Sequence, residues 1–280
     1  TLMANDEHRL TGFLGLTRVV KNLVLINILF FFATFALLGS SRGQLDLTEY
    51  LALYYPGSDK FRWWQLVSYM FMHANFSHIF FNMFALWMFG NILEQLWGPK
   101  RFLTYYMITG IGAAIVHIAV MYYQFHILDG QIKEFMLSPN PVDYANLIAK
   151  NFKGIYNPEW FDQLISAWSL TPESPLLKQE ALNSLGHLVV TKMNIPTIGA
   201  SGAVFGILLA YGLTFPNSLI YIYFLLPIKA KWFVLIYAVL EFWFGISGAG
   251  DNVAHFAHLG GMIFGYLLMV YWHKRDHRYY

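Results

Sequence analysis

The sequence predicts an all-α, polytopic membrane protein: a bundle of six transmembrane helices with an extra-membrane insertion between the third and the fourth. Three observations carry this reading. Of the 280 residues, 57% are hydrophobic and only 12% are charged, against about a quarter charged in ordinary soluble domains. The apolar residues gather in long runs, and so few charges cannot cover that much apolar surface in water. Lysine and arginine collect on alternate connections between the runs, the pattern by which a membrane chain sets its orientation.

The first run is about 22–39 ("NLVLINILFFFATFALLG"), the second about 78–93 ("HIFFNMFALWMFGNIL") and the third about 102–123 ("FLTYYMITGIGAAIVHIAVMYY"). The fourth starts at Ser201 and stops at "FPNS"; the fifth is about 232–247 and the sixth about 255–272. A short apolar piece, 219–227, ends in Pro227 ahead of Lys229 and Lys231, so it reads as an interfacial or loop segment rather than a span. Arg9, Arg18, Lys21, Lys100, Arg101, Lys229, Lys231, Lys274, Arg275 and Arg278 fall on one set of connections, which places both termini in the cytoplasm. The resulting organisation is a cytoplasmic segment 1–21, spans one to three over 22–123 with an outer loop 40–77, an outer-face insertion 124–196, spans four to six over 197–272, and a cytoplasmic tail 273–280. No cleavable signal peptide is expected, because the first apolar run is too continuous and lacks a small-residue cleavage site.

The net charge of +2 and the lack of a basic stripe argue against nucleic acid. The absence of cysteine excludes disulfides, thiolate metal sites and a cysteine nucleophile. The insertion is far more polar than its flanks, with five lysines and seven acids. "VDYANLIAKNF" and "PEWFDQLISAW" read as helices broken by "SPNP" and "TPESP". Trp160, Phe161 and Trp168 either lie in the headgroup layer, cover the mouth of a cavity, or belong to a plain spacer.

The stretch "IGASGAVFG" sets Ser201 between Gly199 and Gly202 at the head of the fourth run. A helix from Ser201 to Phe215 rises about 21 Å, short of the roughly 30 Å hydrocarbon core. Ser201 therefore lies below the outer surface, and the chain above it descends as non-helical backbone, which needs protein or a wet cavity around it. A hydroxyl at a buried helix N-terminus, where the dipole favours negative charge, suits nucleophilic chemistry. The plain alternative is an N-cap serine amid glycines that pack helices in lipid.

The sixth span opens with His255 and His258, followed by Gly261 and Gly265 as a helix-contact face. His258 is the candidate general base; the alternatives are a structural histidine, or a metal site from the histidine pair, for which no third ligand is evident in sequence. His78 and Asn82 share one face of the second span at i, i+4 and can both donate hydrogen bonds to an oxyanion, together with the Ser201 N–H. Holding helices together is the alternative for that pair. Glu241, the carboxylate inside the fifth span, receives no catalytic role.

"HIFFN", "GASG" and "AHLGG", in that order, resemble the rhomboid family of intramembrane serine proteases. "LEQLWG", with Glu94 and Gly98, resembles that family's E-x-x-x-G, and "FRWWQLVSYMFMHANFSH" its first outer loop. Where the family often has Trp-Arg, this chain has Trp64-Gln65; where some members stack a tyrosine on the catalytic histidine, it has Phe205. The resemblance implies a dyad of Ser201 and His258, an oxyanion hole from His78, Asn82 and Ser201, and packing roles for Gly199, Gly202, Gly261, Gly265 and Glu94. It implies transmembrane protein substrates in a lipid bilayer, an active site opening to the non-cytoplasmic face, and no metal or cofactor. A rhomboid-like pseudoprotease, which binds membrane proteins without cutting them, is the rival, although such relatives generally lack the serine or the histidine. A transporter is disfavoured because no inverted repeat with paired broken helices is found. Oligomeric state is not legible.

Overall fold

The computed structural model describes residues 15–222, 225–247 and 254–276. In chain order the helices are α1 (Arg18–Ser40), α2 (Leu47–Leu51), α3 (Gln65–Ser68), α4 (Phe76–Ala85), α5 (Asn91–Trp97), α6 (Pro99–Leu137), α7 (Pro141–Asn151), α8 (Pro158–Leu170), α9 (Pro175–Met193), α10 (Ser201–Thr214), α11 (Ala230–Ser247) and α12 (His255–Asp276). A 3-10 turn, Tyr69–Phe71, follows α3, and a π turn, Leu86–Gly90, joins α4 to α5 into one helix, Phe76–Trp97. Among the described residues four helices are long and apolar enough to cross a membrane: Arg18–Ser40, Phe76–Trp97, Pro99–Leu137 and Ala230–Ser247. The apolar α10 is shorter. The long helix α12 carries His255 and His258 at its start and His273, Lys274 and Arg275 at its end, which dilute its hydropathy.

The core is built around α10, packed between α6 and α12. Nine of its 14 residues are buried, on all faces, as suits a helix enclosed by others. Glycines allow the close approach. A Cβ on Gly202 would collide with Ala113 of α6, and one on Gly261 would enter the backbone carbonyl of Gly202. Tyr105 donates to the Gly206 carbonyl at 2.8 Å, and Tyr69 to the Gly110 carbonyl at 2.7 Å, so these two buried hydroxyls are satisfied inside the bundle.

Glu94 fixes the start of α1. Its carboxylate accepts from the N–H groups of Val19 and Val20, both at 2.9 Å, and from the Thr17 hydroxyl at 2.5 Å. A carboxylate there satisfies orphan donors and complements the positive end of the helix. Gln65 organises the outer loop. It is fully buried, accepts from Arg62 N–H at 2.9 Å and donates to the Lys60 carbonyl at 2.9 Å, so the loop is anchored without the arginine that the family often has.

Two expectations need correction. The polar shift at 124 marks no helix end: α6 runs 39 residues to Leu137, about 58 Å at the usual rise and nearly twice the hydrocarbon thickness. The fold is not purely α either. Leu219–Ile222 and Leu226–Lys229 pair as a short antiparallel hairpin, with Leu219 opposite Lys229, over the segment read as interfacial or loop.

The insertion has its own core. Phe125, Leu128 and Phe135 of α6 meet Tyr144 and Ile148 of α7, Phe161, Leu164 and Trp168 of α8, and Ala181 and Leu185 of α9. Phe161 and Trp168 thus fill an interior rather than a headgroup layer; Trp160 is half exposed. The breaks "SPNP" and "TPESP" are helix starts: Asn140, Asn157 and Ser174 each cap a helix whose first residue is proline.

Candidate active site

The chain reaches Ser201 through the non-helical segment 194–200, whose backbone is satisfied by protein. Thr197 exchanges both backbone hydrogen bonds with Leu53, at 2.8 and 2.9 Å, and Gly199 N–H donates to the Tyr69 carbonyl at 2.9 Å. Gly199 has φ +126°, and a Cβ there would stand 2.8 Å from His78 Nε2, so glycine serves both the backbone conformation and the approach of the imidazole. Ser201 then opens α10.

His258 lies in the first turn of α12, and its Nε2 stands 2.8 Å from Ser201 Oγ. Phe205, one turn below Ser201, stacks on the His258 ring with centroids 4.2 Å apart and an interplanar angle of 5°. That is the stacking expected of the position where relatives have tyrosine. It fixes the ring plane so that Nε2 faces the hydroxyl.

His78 is half-buried beside Gly199, and Asn75 caps its helix by accepting from His78 N–H at 2.9 Å. The Ala74 N–H approaches His78 Nδ1 at 3.5 Å. With Nδ1 as acceptor, the proton sits on Nε2, on the side that faces Gly199. Asn82, one turn on, is buried, and its Nδ2 has no hydrogen-bond partner among the described residues. A buried amide donor left open is costly unless a ligand or an intermediate uses it.

Sequence reasoning missed several neighbours. Glu241 Oε2 of α11 lies 2.9 Å from His258 Nδ1 and 2.7 Å from His255 Nδ1. The third group that the sequence did not reveal beside the histidine pair is therefore present, and Glu241, His255 and His258 offer ligand atoms within 4.8 Å of one another. His117 Nε2 of α6 contacts the Thr197 hydroxyl at 2.8 Å. His73, in the loop before α4, packs edge-on against His78 at 4.9 Å, and burial pushes its pKa down to about 3, so it is neutral near pH 7. The connection between α11 and α12 lies largely outside the described residues, as do most of the cytoplasmic segment 1–21 and half of the tail 273–280.

A hydroxyl and an imidazole thus stand at hydrogen-bond distance inside a helical bundle that carries four helices long and apolar enough to cross a membrane. A family model for the Rhomboid domain matches residues 60–131 and 177–275. The chain belongs to the rhomboid family. It is 26% identical over 229 residues to an uncharacterized mitochondrial rhomboid protein of Schizosaccharomyces pombe, covering 77% of this chain and 53% of that protein. It is 34% identical over 113 residues to rhomboid protease AarA of Providencia stuartii, covering 40% of each, and 38% identical over 53 residues to rhomboid protease GluP of Bacillus subtilis, covering 19% of this chain and 10% of that one. The chain thus spans about half the length, or less, of these relatives. The unmatched stretch 132–176 falls within α6–α9. Membership and the four apolar helices make this an integral membrane protein of a protease family.

Proposed function

We propose that the chain is an intramembrane serine endopeptidase that cleaves peptide bonds in or near transmembrane segments of other membrane proteins, with Ser201 as nucleophile and His258 as base. The single observation that carries this is the 2.8 Å contact from Ser201 Oγ to His258 Nε2, the distance that proton transfer needs. As Oγ bonds to the scissile carbonyl carbon, its proton passes to His258 Nε2 and the carbonyl π pair moves to oxygen. His78 Nε2–H, Asn82 Nδ2–H and the Ser201 N–H at the positive end of α10 stabilise that oxyanion. Collapse breaks the C–N bond, and His258 returns the proton to the departing amine. Water then attacks the acyl-serine, His258 takes its proton, and Ser201 is released with the new carboxylate.

Six spans with both termini cytoplasmic, a site opening to the opposite face and the insertion on that same face complete the proposal; the alternate distribution of lysine and arginine supports it. Labelling by a fluorophosphonate in detergent tests the reading. Wild type should be modified on Ser201 and Ser201→Ala should not. A folded wild type that resists the probe would support the pseudoprotease instead.

A further inference from the structure

The protease reading uses Nε2 of His258 and leaves Nδ1 to be explained. Nδ1 lies 2.9 Å from Glu241 Oε2, and the same oxygen lies 2.7 Å from Nδ1 of His255. The side chains are withdrawn from the surface, with 10% exposure for Glu241 and 11% for each histidine. Glu241 comes from the second half of α11, and the histidines stand i, i+3 on the first turn of α12, so the contact also ties these helices together.

Proton counting narrows the states. Each of the two contacts needs one hydrogen. A protonated Glu241 can donate to only one Nδ1, and its oxygen then accepts from an Nδ1–H of the other histidine. An ionised carboxylate oxygen accepts from both. In that arrangement both histidines carry hydrogen on Nδ1, and the neutral form of His258 turns a bare Nε2 toward Ser201, the form a general base requires. The opposite tautomer would place a proton between Nε2 and Oγ and leave nothing to accept from serine.

We propose that Glu241 is a positioning residue that completes a Ser201–His258–Glu241 triad, with His255 holding the carboxylate in place. This rests on the protease reading above. When Ser201 transfers its proton to Nε2, the positive charge on the imidazolium develops beside the Glu241 carboxylate, and no proton passes to Glu241. The neighbouring phenyl ring of Phe205 supplies the plane, and the carboxylate supplies the rotation within it and the tautomer. A divalent cation is the competing occupant of the same three donors. The observed spacings of 2.7 and 2.9 Å favour shared protons, because ligand atoms on a tetrahedral zinc with bonds of about 2.0–2.1 Å stand about 3.3 Å apart.

The test compares wild type, Glu241→Gln, Glu241→Asp and Ser201→Ala in detergent. It measures kcat and KM on a transmembrane substrate, fluorophosphonate labelling rate, thermal midpoint, and the effect of EDTA on wild type. Glu241→Gln is isosteric and should lower kcat and labelling by at least about 100-fold, in the direction of the loss seen when a triad carboxylate becomes an amide, with KM nearly unchanged. Glu241→Asp should recover part of that rate, and EDTA should change nothing. Four results would overturn the triad while leaving the protease reading intact: Glu241→Gln at wild-type rate, a loss confined to KM, a loss that tracks thermal destabilisation without rescue by aspartate, or inactivation of wild type by EDTA. Absence of labelling in wild type would overturn the protease reading and the triad with it.

Discussion

Helices α10 and α12 meet glycine against glycine, whereas α7, α8 and α9 meet through Tyr144, Phe161, Leu164 and Trp168. The first pair works where lipid removes any hydrophobic gain from helix association, so close van der Waals contact and hydrogen bonds decide. The second set behaves as a small water-side bundle: large apolar side chains converge, and Asn or Ser caps with proline behind them start each helix. Polar groups divide the same way. In the insertion Asn140, Asn157 and Ser174 serve as caps, while in the bundle Ser201, His258 and Glu241 are buried or half-buried next to one another. Such groups are expensive at membrane depth and mark where chemistry happens. The contrast teaches that one chain writes helices in two codes, and that the proposed catalytic cluster is built in the code where close packing sets position.

Changes to the cluster should have the largest effect. Ser201→Ala and His258→Ala should each reduce cleavage of a transmembrane substrate by about 1,000-fold or more, and the double variant should be no worse, since the two groups act as one unit. A double variant markedly below either single one would separate their roles. Next come His78→Ala and Asn82→Ala, which should lower kcat by roughly 10- to 1,000-fold with less change in KM, measured by steady-state kinetics. A change confined to KM would assign the pair to packing or substrate docking.

Packing substitutions should act on stability rather than on chemistry. Gly261→Ala would press a methyl group into the Gly202 carbonyl and should cost about 1–3 kcal/mol, read as a lower thermal midpoint in detergent, with cleavage falling because Ser201 and His258 move apart. The smallest effect belongs to the insertion. Asn157→Ala removes the α8 cap, in which Asn157 accepts from Trp160 N–H at 3.2 Å, and should cost about 1 kcal/mol. Hydrogen exchange should quicken in 158–170 with labelling of Ser201 unchanged; altered labelling would join the insertion to the active site and break the comparison.

Much of this was legible in sequence where local chemistry is strong. α10 starts at Ser201 because a glycine-flanked serine ends a non-helical descent, and α7 and α8 follow their Asn-Pro starts. Phe205 stacks on His258 as the family resemblance implied, since one turn from Ser201 faces the same partner helix. What sequence hid was non-local. Glu241 stands 17 residues from His258 on a different helix, and no periodicity reports which faces of α11 and α12 turn together. The third helix was ended too soon because a rise in polarity was taken for a break, when it records a helix leaving lipid. α9 escaped notice because its apolar residues lack a sharp stripe.

The most direct test of the central claim is reconstitution of purified wild type and Ser201→Ala into liposomes with a single-span protein substrate, followed by mass spectrometry of the products. The account expects wild type to yield fragments that end in or beside the transmembrane segment, and Ser201→Ala to leave the substrate whole. Cleavage by Ser201→Ala at a comparable rate, or substrate held intact by a folded and reactive wild type, would contradict it.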